Sequence, residues 1–404
     1  MKRKNLNTVS VYDENYSEKE VYDMSLSMLH CDGEKIINAE GKQVFLRGTN
    51  LGGWLLDELW MGFFKGGEAQ WDIVTALENR FGKQKADRLI KIREDNYITE
   101  YDLDYLQSLG FTCVRVPFWY RNFQTDDSGT WKRKENGEID FSRLDWIVDE
   151  CGKRGMYVIL DMHGVPGYQS IAHHSCRMNH CKLYDETEEG AYFRSLACGL
   201  WSEIARHFAG NGTVAAYDLM NEPMCDYEGE DKVNSKYHDV YSLIYNSVRV
   251  NDPEHIITLE AIWTPDDIPH PSERGWENVM YQYHLYDDSN ESFKDVTTHN
   301  ASKNFNVPVL AGEFSPCRGT ATWEYILRLF SECSYNWQTW TYKGHCPKGE
   351  TSQWFMMGSD DPDNVVDINN DSAEEIERKW SSVRTENCCK PMNDHGLLSE
   401  YAKA

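Results

Sequence analysis

The sequence predicts a single (β/α)8 barrel, and three observations carry that prediction. First, eight short apolar and β-branched runs recur, at Gln43–Asn50, Cys113–Phe118, Tyr157–His163, Val214–Glu222, His255–Ala261, Val279–Tyr286, Val307–Phe314 and Asn336–Lys343. Runs of this kind suit strands buried on both faces of a parallel sheet. Second, the intervening stretches, such as Glu100–Gly110 and Asp140–Glu150, space apolar residues three and four apart and read as amphipathic helices, with Gly110 and Gly155 where helix C-caps belong. Third, polar residues gather at the last positions of the strand runs, the end that forms the catalytic face of a parallel barrel. Strand and helix alternating eight times favour a closed barrel over an open sheet.

Around this repeat, Ile36–Phe45 carries a Gly-bearing turn between apolar runs and predicts a hairpin that plugs the N-terminal end of the barrel. Residues 1–30 read as a surface extension, leaving 31–404 as the catalytic domain. Two polar stretches, from Gly164 to about Glu189 and from Gly344 to about Asn370, are long insertions on the catalytic face, where specificity is usually set.

Composition narrows the partners. With 66 acidic against 41 basic side chains the net charge is −25, which repels phosphate backbones and anionic lipid. No run approaches the ~18 apolar residues of a membrane span. The positive start, Met1-Lys-Arg-Lys-Asn5, has no apolar segment behind it, so no secretion signal is expected. The twelve cysteines are dispersed, and free thiols in a cytoplasmic protein are the simpler expectation.

Two strand-like runs end in glutamates: Val214-Ala-Ala-Tyr-Asp-Leu-Met-Asn-Glu-Pro223 in Glu222, and Val307-Pro-Val-Leu-Ala-Gly-Glu-Phe314 in Glu313. Both would open into one pocket on the catalytic face of a barrel, which suggests an acid/base and nucleophile pair. His173-His-Ser-Cys-Arg-Met-Asn-His-Cys181 has the composition of a zinc site, but its spacing matches no common ligand framework, and the expectation is a pocket rim with no metal and no cofactor. Trp60, Phe63, Phe64 and Trp71 read either as ligand-facing platforms or as packing of the loop after the first strand.

Seven short motifs fall in order on these strand ends: Arg47-Gly-Thr-Asn-Leu-Gly-Gly-Trp54, Val114-Arg-Val-Pro117, Leu160-Asp-Met-His-Gly164, Asn221-Glu-Pro223, His284-Leu-Tyr286, Gly312-Glu313 and Trp340. Together they resemble glycoside hydrolase family 5. Asn50-Leu-Gly-Gly-Trp-Leu55, Tyr97-Ile-Thr-Glu-Tyr-Asp102 and His163-Gly-Val-Pro-Gly167 are similar to its exo-β-1,3-glucanase branch.

The resemblance implies a retaining hydrolysis with Glu222 as acid/base and Glu313 as nucleophile. Arg115 and Tyr286 would bond Glu313, Asn221 would hold the sugar 2-hydroxyl, and His163 and His284 would orient hydroxyls and the two glutamates. Trp340 would lie beneath the sugar ring. Glu58, or the adjacent Asp57 if the register slips by one, would grip a terminal sugar. The implied substrate is a neutral β-glucosidic oligosaccharide or glycoside attacked from its end, with β-1,3 linkage as one option. Alternatives are the same machinery on a β-mannoside, a cellulose-type glucan, a glycolipid or a flavonoid glycoside, and a barrel that binds carbohydrate without turning it over.

Overall fold

The computed structural model describes residues 26–224, 234–350 and 352–404. Eight parallel strands close into a barrel: β1 (Arg47–Asn50), β2 (Cys113–Trp119), β3 (Tyr157–Gly164), β4 (Val214–Asp218), β5 (Ile256–Ile262), β6 (Val279–Leu285), β7 (Val309–Phe314) and β8 (Asn336–Thr339). Each pairs with its neighbours in sequence, and β8 closes on β1 with Trp337 opposite Arg47 and Thr339 opposite Thr49. Every residue of β2, β3, β5, β6 and β7 is buried, which is why these runs show no polar alternation. The (β/α)8 fold read from the sequence is therefore the observed one. Strand ends differ most at β4, which stops at Asp218 because the chain leaves the barrel wall there to carry Asn221 and Glu222 over its mouth.

The helices follow their sequence signals. Glu100–Ser108 starts after Thr99, whose backbone N–H donates to the Asp102 carboxylate at 2.7 Å, and it buries Leu103 and Leu106. Ser142–Lys153 buries Leu144, Ile147, Val148 and Cys151 on one face. Among the described residues, no helix is long and apolar enough to cross a membrane.

The N-terminal hairpin lies one turn earlier than its predicted place. Its strands are Leu29–Asp32 and Lys35–Asn38, reversing at Gly33, while the Gly41 turn forms only a single bridge between Ile37 and Gln43. The plug itself is present: Leu29 and Ile36 share one apolar cluster with Cys113, Ile159, Ala216 and Leu310 of the barrel. Of the extension expected over 1–30, residues 1–25 lie outside the described residues; Leu26 is already docked, its N–H donating to Thr213 Oγ1.

On the opposite face, a short strand pair, Phe64–Lys65 with Val366–Asp367, ties the loop after β1 to the segment after β8. That segment is partly sheet: Lys343–His345, Met357–Ser359 and Cys389–Pro391 pair side by side. Phe63 and Phe64 are buried core residues rather than open sugar platforms.

Closure of the barrel demands close backbone approach at β1. A Cβ on Gly48 would stand 1.8 Å from the Cys113 carbonyl oxygen of β2. Gly48→Ala is accordingly expected to lower the urea-unfolding free energy by about 1–3 kcal/mol or more. An unchanged midpoint would mean that β1 and β2 do not meet in this register.

Candidate active site

β7 delivers Glu313 into the barrel mouth. The pairing of β7 with β6 shifts between Ala311 and Glu313, an irregularity of the kind that re-aims a side chain. The residue between has to be a glycine, since a Cβ at Gly312 would lie 2.0 Å from Gln282 Oε1. Glu222 arrives from the segment after β4 with φ 41, in the left-handed region that costs a long L side chain energy. Its N–H donates to Glu260 Oε2 at 2.6 Å, and the carbonyl of Asn221 accepts from Gln169 Nε2 at 2.8 Å, so the strained turn is pinned on both sides.

A carboxylate oxygen of Glu222, one of Glu313 and a ring nitrogen of His284 lie within 4.8 Å of one another. His284 sits between the acids, its Nδ1 2.6 Å from Glu222 Oε1 and 3.4 Å from Glu313 Oε2. Tyr286 donates to Glu313 Oε2 at 2.8 Å. Among the described residues this trio is the one grouping with metal-ligand potential, and its own hydrogen bonds already account for its closeness.

Arg115, fully buried on β2, organises the floor. Its Nη1 donates to Glu313 Oε1 at 2.8 Å and to Asn50 Oδ1 at 3.0 Å, and its Nε to Asp218 Oδ2 at 2.8 Å. Nη2 reaches Asn221 Oδ1 at 2.9 Å, Asp161 Oδ2 at 3.0 Å and Glu260 Oε1 at 3.2 Å. Asn221 thereby spends its oxygen on Arg115, while its buried Nδ2 has no partner among the described residues. A buried amide donor in that condition is one a ligand hydroxyl can satisfy.

The side wall is built from the loops after β1 and β3. Asp57 pairs with Arg93 at 2.5 Å and belongs to the scaffold, whereas Glu58 accepts from Trp60 Nε1 at 2.7 Å and meets His173 Nε2 at 2.9 Å. Of the two acids, Glu58 is the one that faces the histidines of the site. His163 places Nδ1 2.6 Å from Asp161 and leaves Nε2 buried, 4.0 Å from Glu58 Oε1. Trp340 stacks flat on His163, rings 5.4 Å apart, so at most one of its faces is open to a sugar. The His/Cys-rich stretch contributes two histidines to this wall: His173 to Glu58, and His174, whose Nδ1 lies 3.4 Å from Glu222 Oε2.

Electrostatically the floor holds more acid than base. Burial lifts Asp161 to about 7 against the pull of Arg115, and burial also raises Asp218 and Glu260. Burial likewise drives Glu313 well above the usual carboxylate range, with Arg115 opposing and the charge of Glu222 adding to the rise. For Glu222 burial acts upward too, but the charge of His174 and the hydrogen bond and charge of His284 outweigh it and hold the carboxyl low.

Two carboxyls this close titrate as a coupled pair, and His284 Nδ1 meets both. Two imidazoles flank Glu222, whereas Glu313 shares its guanidinium with Asp161, Asp218 and Glu260.

Residues 82–345, well over half of the chain, match the family Cellulase (glycosyl hydrolase family 5). The chain belongs to glycosyl hydrolase family 5. It is 32% identical over 263 residues to a β-xylosidase of Phanerodontia chrysosporium, covering 65% of this chain and 52% of that protein. It is 26% identical over 255 residues to a glucan 1,3-β-glucosidase of Candida oleophila, covering 60% and 58%. The chain thus spans about half the length of the curated relatives it matches. Among solved structures, rutinosidase from Aspergillus niger (TM-score 0.58, 18% identity, 76% and 92% covered) and a β-glucanase from Saccharophagus degradans (TM-score 0.53, 16% identity, 93% and 97% covered) share the fold.

In this family-5 barrel, Glu222, Glu313, Arg115, His163, Asn221, His284, Tyr286, Trp340 and Glu58 all fall around one mouth. Sequence reasoning did not single out Asp161, Asp218, Glu260 or the exposed Trp263 beside His284 and Tyr286, although Glu260 stands among apolar residues near a strand end as Glu222 and Glu313 do.

Burial lowers the His284 pKa to about 4 from 6.5. Below pH 6.5 the unfolded chain takes up a proton at this ring and the fold does not, so the stability it contributes is full above 6.5 and lost as pH falls toward 4. Urea titrations of the protein and of His284→Asn are expected to converge over that window, by up to about 1.4 kcal/mol per pH unit. Parallel curves would show that the ring titrates normally.

Proposed function

We propose that this chain is a retaining β-glycosidase that releases terminal sugars from short neutral oligosaccharides or glycosides, of β-glucosidic or closely related β-xylosidic type. The observation that carries the reading is that Glu222 and Glu313 face each other across His284 Nδ1, with one carboxylate oxygen of each within 4.8 Å of the other, a close approach of the kind retention needs. Retention requires carboxyl groups about 5 Å apart, whereas inversion needs about 6.5–9.5 Å to admit a water.

In the first step Glu313 attacks the anomeric carbon while Glu222 gives its proton to the departing glycosidic oxygen. In the second, Glu222 takes a proton from water, which attacks the anomeric carbon and releases Glu313. Before the first step a proton has to rest on Glu222 while Glu313 is ionised. Withdrawal of water by the sugar favours that state because Arg115 and Tyr286, both bonded to Glu313, then stabilise its ionised form. Asn221 Nδ2 and His163 Nε2, both buried and unpartnered among the described residues, are suited to sugar hydroxyls.

Action at chain ends is supported by the wall of Glu58, His173 and Trp60, which stands across one side of the mouth. The names of the β-xylosidase and glucan 1,3-β-glucosidase relatives fit this substrate class. A reducing, cytoplasmic setting belongs to the same proposal and rests on the free thiols, eleven of which lie among the described residues.

Proton NMR of the sugar released from aryl β-glucoside and β-xyloside is expected to show the β-anomer first; an initial α-anomer would rule out double displacement. Glu313→Ala should fall to background. Glu222→Ala should lose about 10²–10⁴-fold on poor leaving groups, and azide should speed its turnover of a dinitrophenyl glycoside, where azide attacks the glycosyl-enzyme in place of water. Retention of most activity in either variant would end this assignment.

A further inference from the structure

Glu260 lies at the centre of the site yet touches neither the anomeric carbon nor the leaving group in the scheme above. It is fully buried on β5, and its two oxygens face different partners. Oε2 accepts the N–H of Glu222 at 2.6 Å. Oε1 accepts from Gln282 Nε2 at 2.6 Å and Arg115 Nη2 at 3.2 Å, and stands 3.5 Å from His284 Nε2. From the back, the Tyr241 hydroxyl accepts the N–H of Glu260 and donates to the carbonyl of Met220, tying β5 to the segment that carries Glu222.

We propose that Glu260 is a positioning residue for Glu222: it clamps the left-handed backbone of Glu222 and, through His284, decides whether Glu222 holds its proton. The proposal rests on Glu222 being the acid/base.

The argument is one of proton counting along a row of three groups. Neutral His284 has one ring proton. If it sits on Nδ1, it is donated to an ionised Glu222. If it sits on Nε2, it points at Glu260, and Nδ1 becomes the acceptor for a protonated Glu222. An ionised Glu260 favours the second arrangement and a protonated Glu260 the first. The interchange moves one proton from Glu260 to Nε2 and one from Nδ1 to Glu222, so the total is unchanged and no outside donor is needed. It requires the 3.5 Å gap to close to hydrogen-bonding distance. His284 Nε2 is buried with no hydrogen bond among the described residues, so Glu260 is the group poised to answer it.

The groups that bear on Glu260 are Arg115 from β2, Asp161 from β3, Asp218 from β4, Glu222 after β4, and Gln282 and His284 from β6. Burial, then the charge of Asp218, raises its pKa, and the charges of Glu222 and Asp161 add to the rise against the pull of Arg115, so Glu260 is able to hold the proton that the row requires. A neutral amide in the same place would accept from Glu222 N–H equally well. It could never accept a proton at Nε2's side and give it back.

The experiment compares Glu260→Gln with the exchange variant Glu260→Gln/Gln282→Glu, which keeps the number of carboxyls and amides and lets the two side chains bond each other while moving the ionisable group away from His284. Both are expected to lose on the order of 10²-fold in kcat/KM on a β-linked disaccharide, mostly in kcat, and to lose little on a dinitrophenyl glycoside, whose leaving group needs no acid. The limb of the pH profile assigned to the acid should move in both. Equal losses on the two substrates, or full recovery in the exchange variant, would reduce Glu260 to charge balance and overturn the proposal. Glu222→Ala in the same panel keeps the two readings apart: if it shows no leaving-group dependence, the acid/base assignment itself fails and takes this inference with it. If it does show that dependence and the Glu260 variants do not, only the inference falls.

Discussion

The site depends on one buried guanidinium. Arg115 bonds or pairs with Asn50, Asp161, Asp218, Asn221, Glu260 and Glu313, groups supplied by β1, β3, β4, β5 and β7 and by the segment after β4. Its planar fork presents donors in several fixed directions, which a lysine on a flexible stem does not. Burying it is costly, and the attraction of its partners offsets that cost only while they stay in place; removal of Arg115 would leave uncompensated buried charge, a loss of about 3–5 kcal/mol in comparable cases. At the mouth the polar groups of five strands converge on this one cation, whereas the plug at the other end is held by apolar contacts.

One cation against four acids has a chemical consequence. Not all of the carboxyls can ionise together, so the floor retains protons at a pH where isolated carboxylates have lost theirs. The excess is a property of the cluster, shared among Asp161, Asp218, Glu260 and Glu313. Glu222 is set apart from them by its two imidazole neighbours.

How much of this was legible in the sequence follows from where each signal resides. The barrel was legible because burial on both faces writes itself as uninterrupted apolar runs, and Glu222 and Glu313 were legible because each breaks such a run at its end. Arg115, Asn221, His284 and Tyr286 needed the family resemblance, since none has a local pattern that distinguishes it from a structural residue. Which of Asp57 and Glu58 faces the mouth could not be read locally at all: Arg93, on the helix Lys83–Tyr97, claims Asp57. Gly41 and Gly33 are both true turns, and only the packing of Leu29 on the barrel decides which one closes the hairpin. Glu260 was passed over because a strand acid has meaning only through what faces it.

The loops set what the floor can be used for. Glu58 is held by Trp60 and His173, which come from different loops, and Trp60 in turn stacks on Phe355 from the segment after β8, rings 5.6 Å apart and nearly parallel. Three insertions thus meet at Glu58 and Trp60: His173 and the indole nitrogen bond the acid, and the indole face meets the third loop. Trp354 continues this wall toward Tyr286, 5.0 Å away. A polar grip backed by aromatic rings matches a sugar, whose rim carries hydroxyls and whose faces carry C–H groups. Because Glu58 is fixed by partners from two loops, it cannot turn away from the mouth without breaking both bonds. The same contacts that shape the wall therefore hold its acid in place.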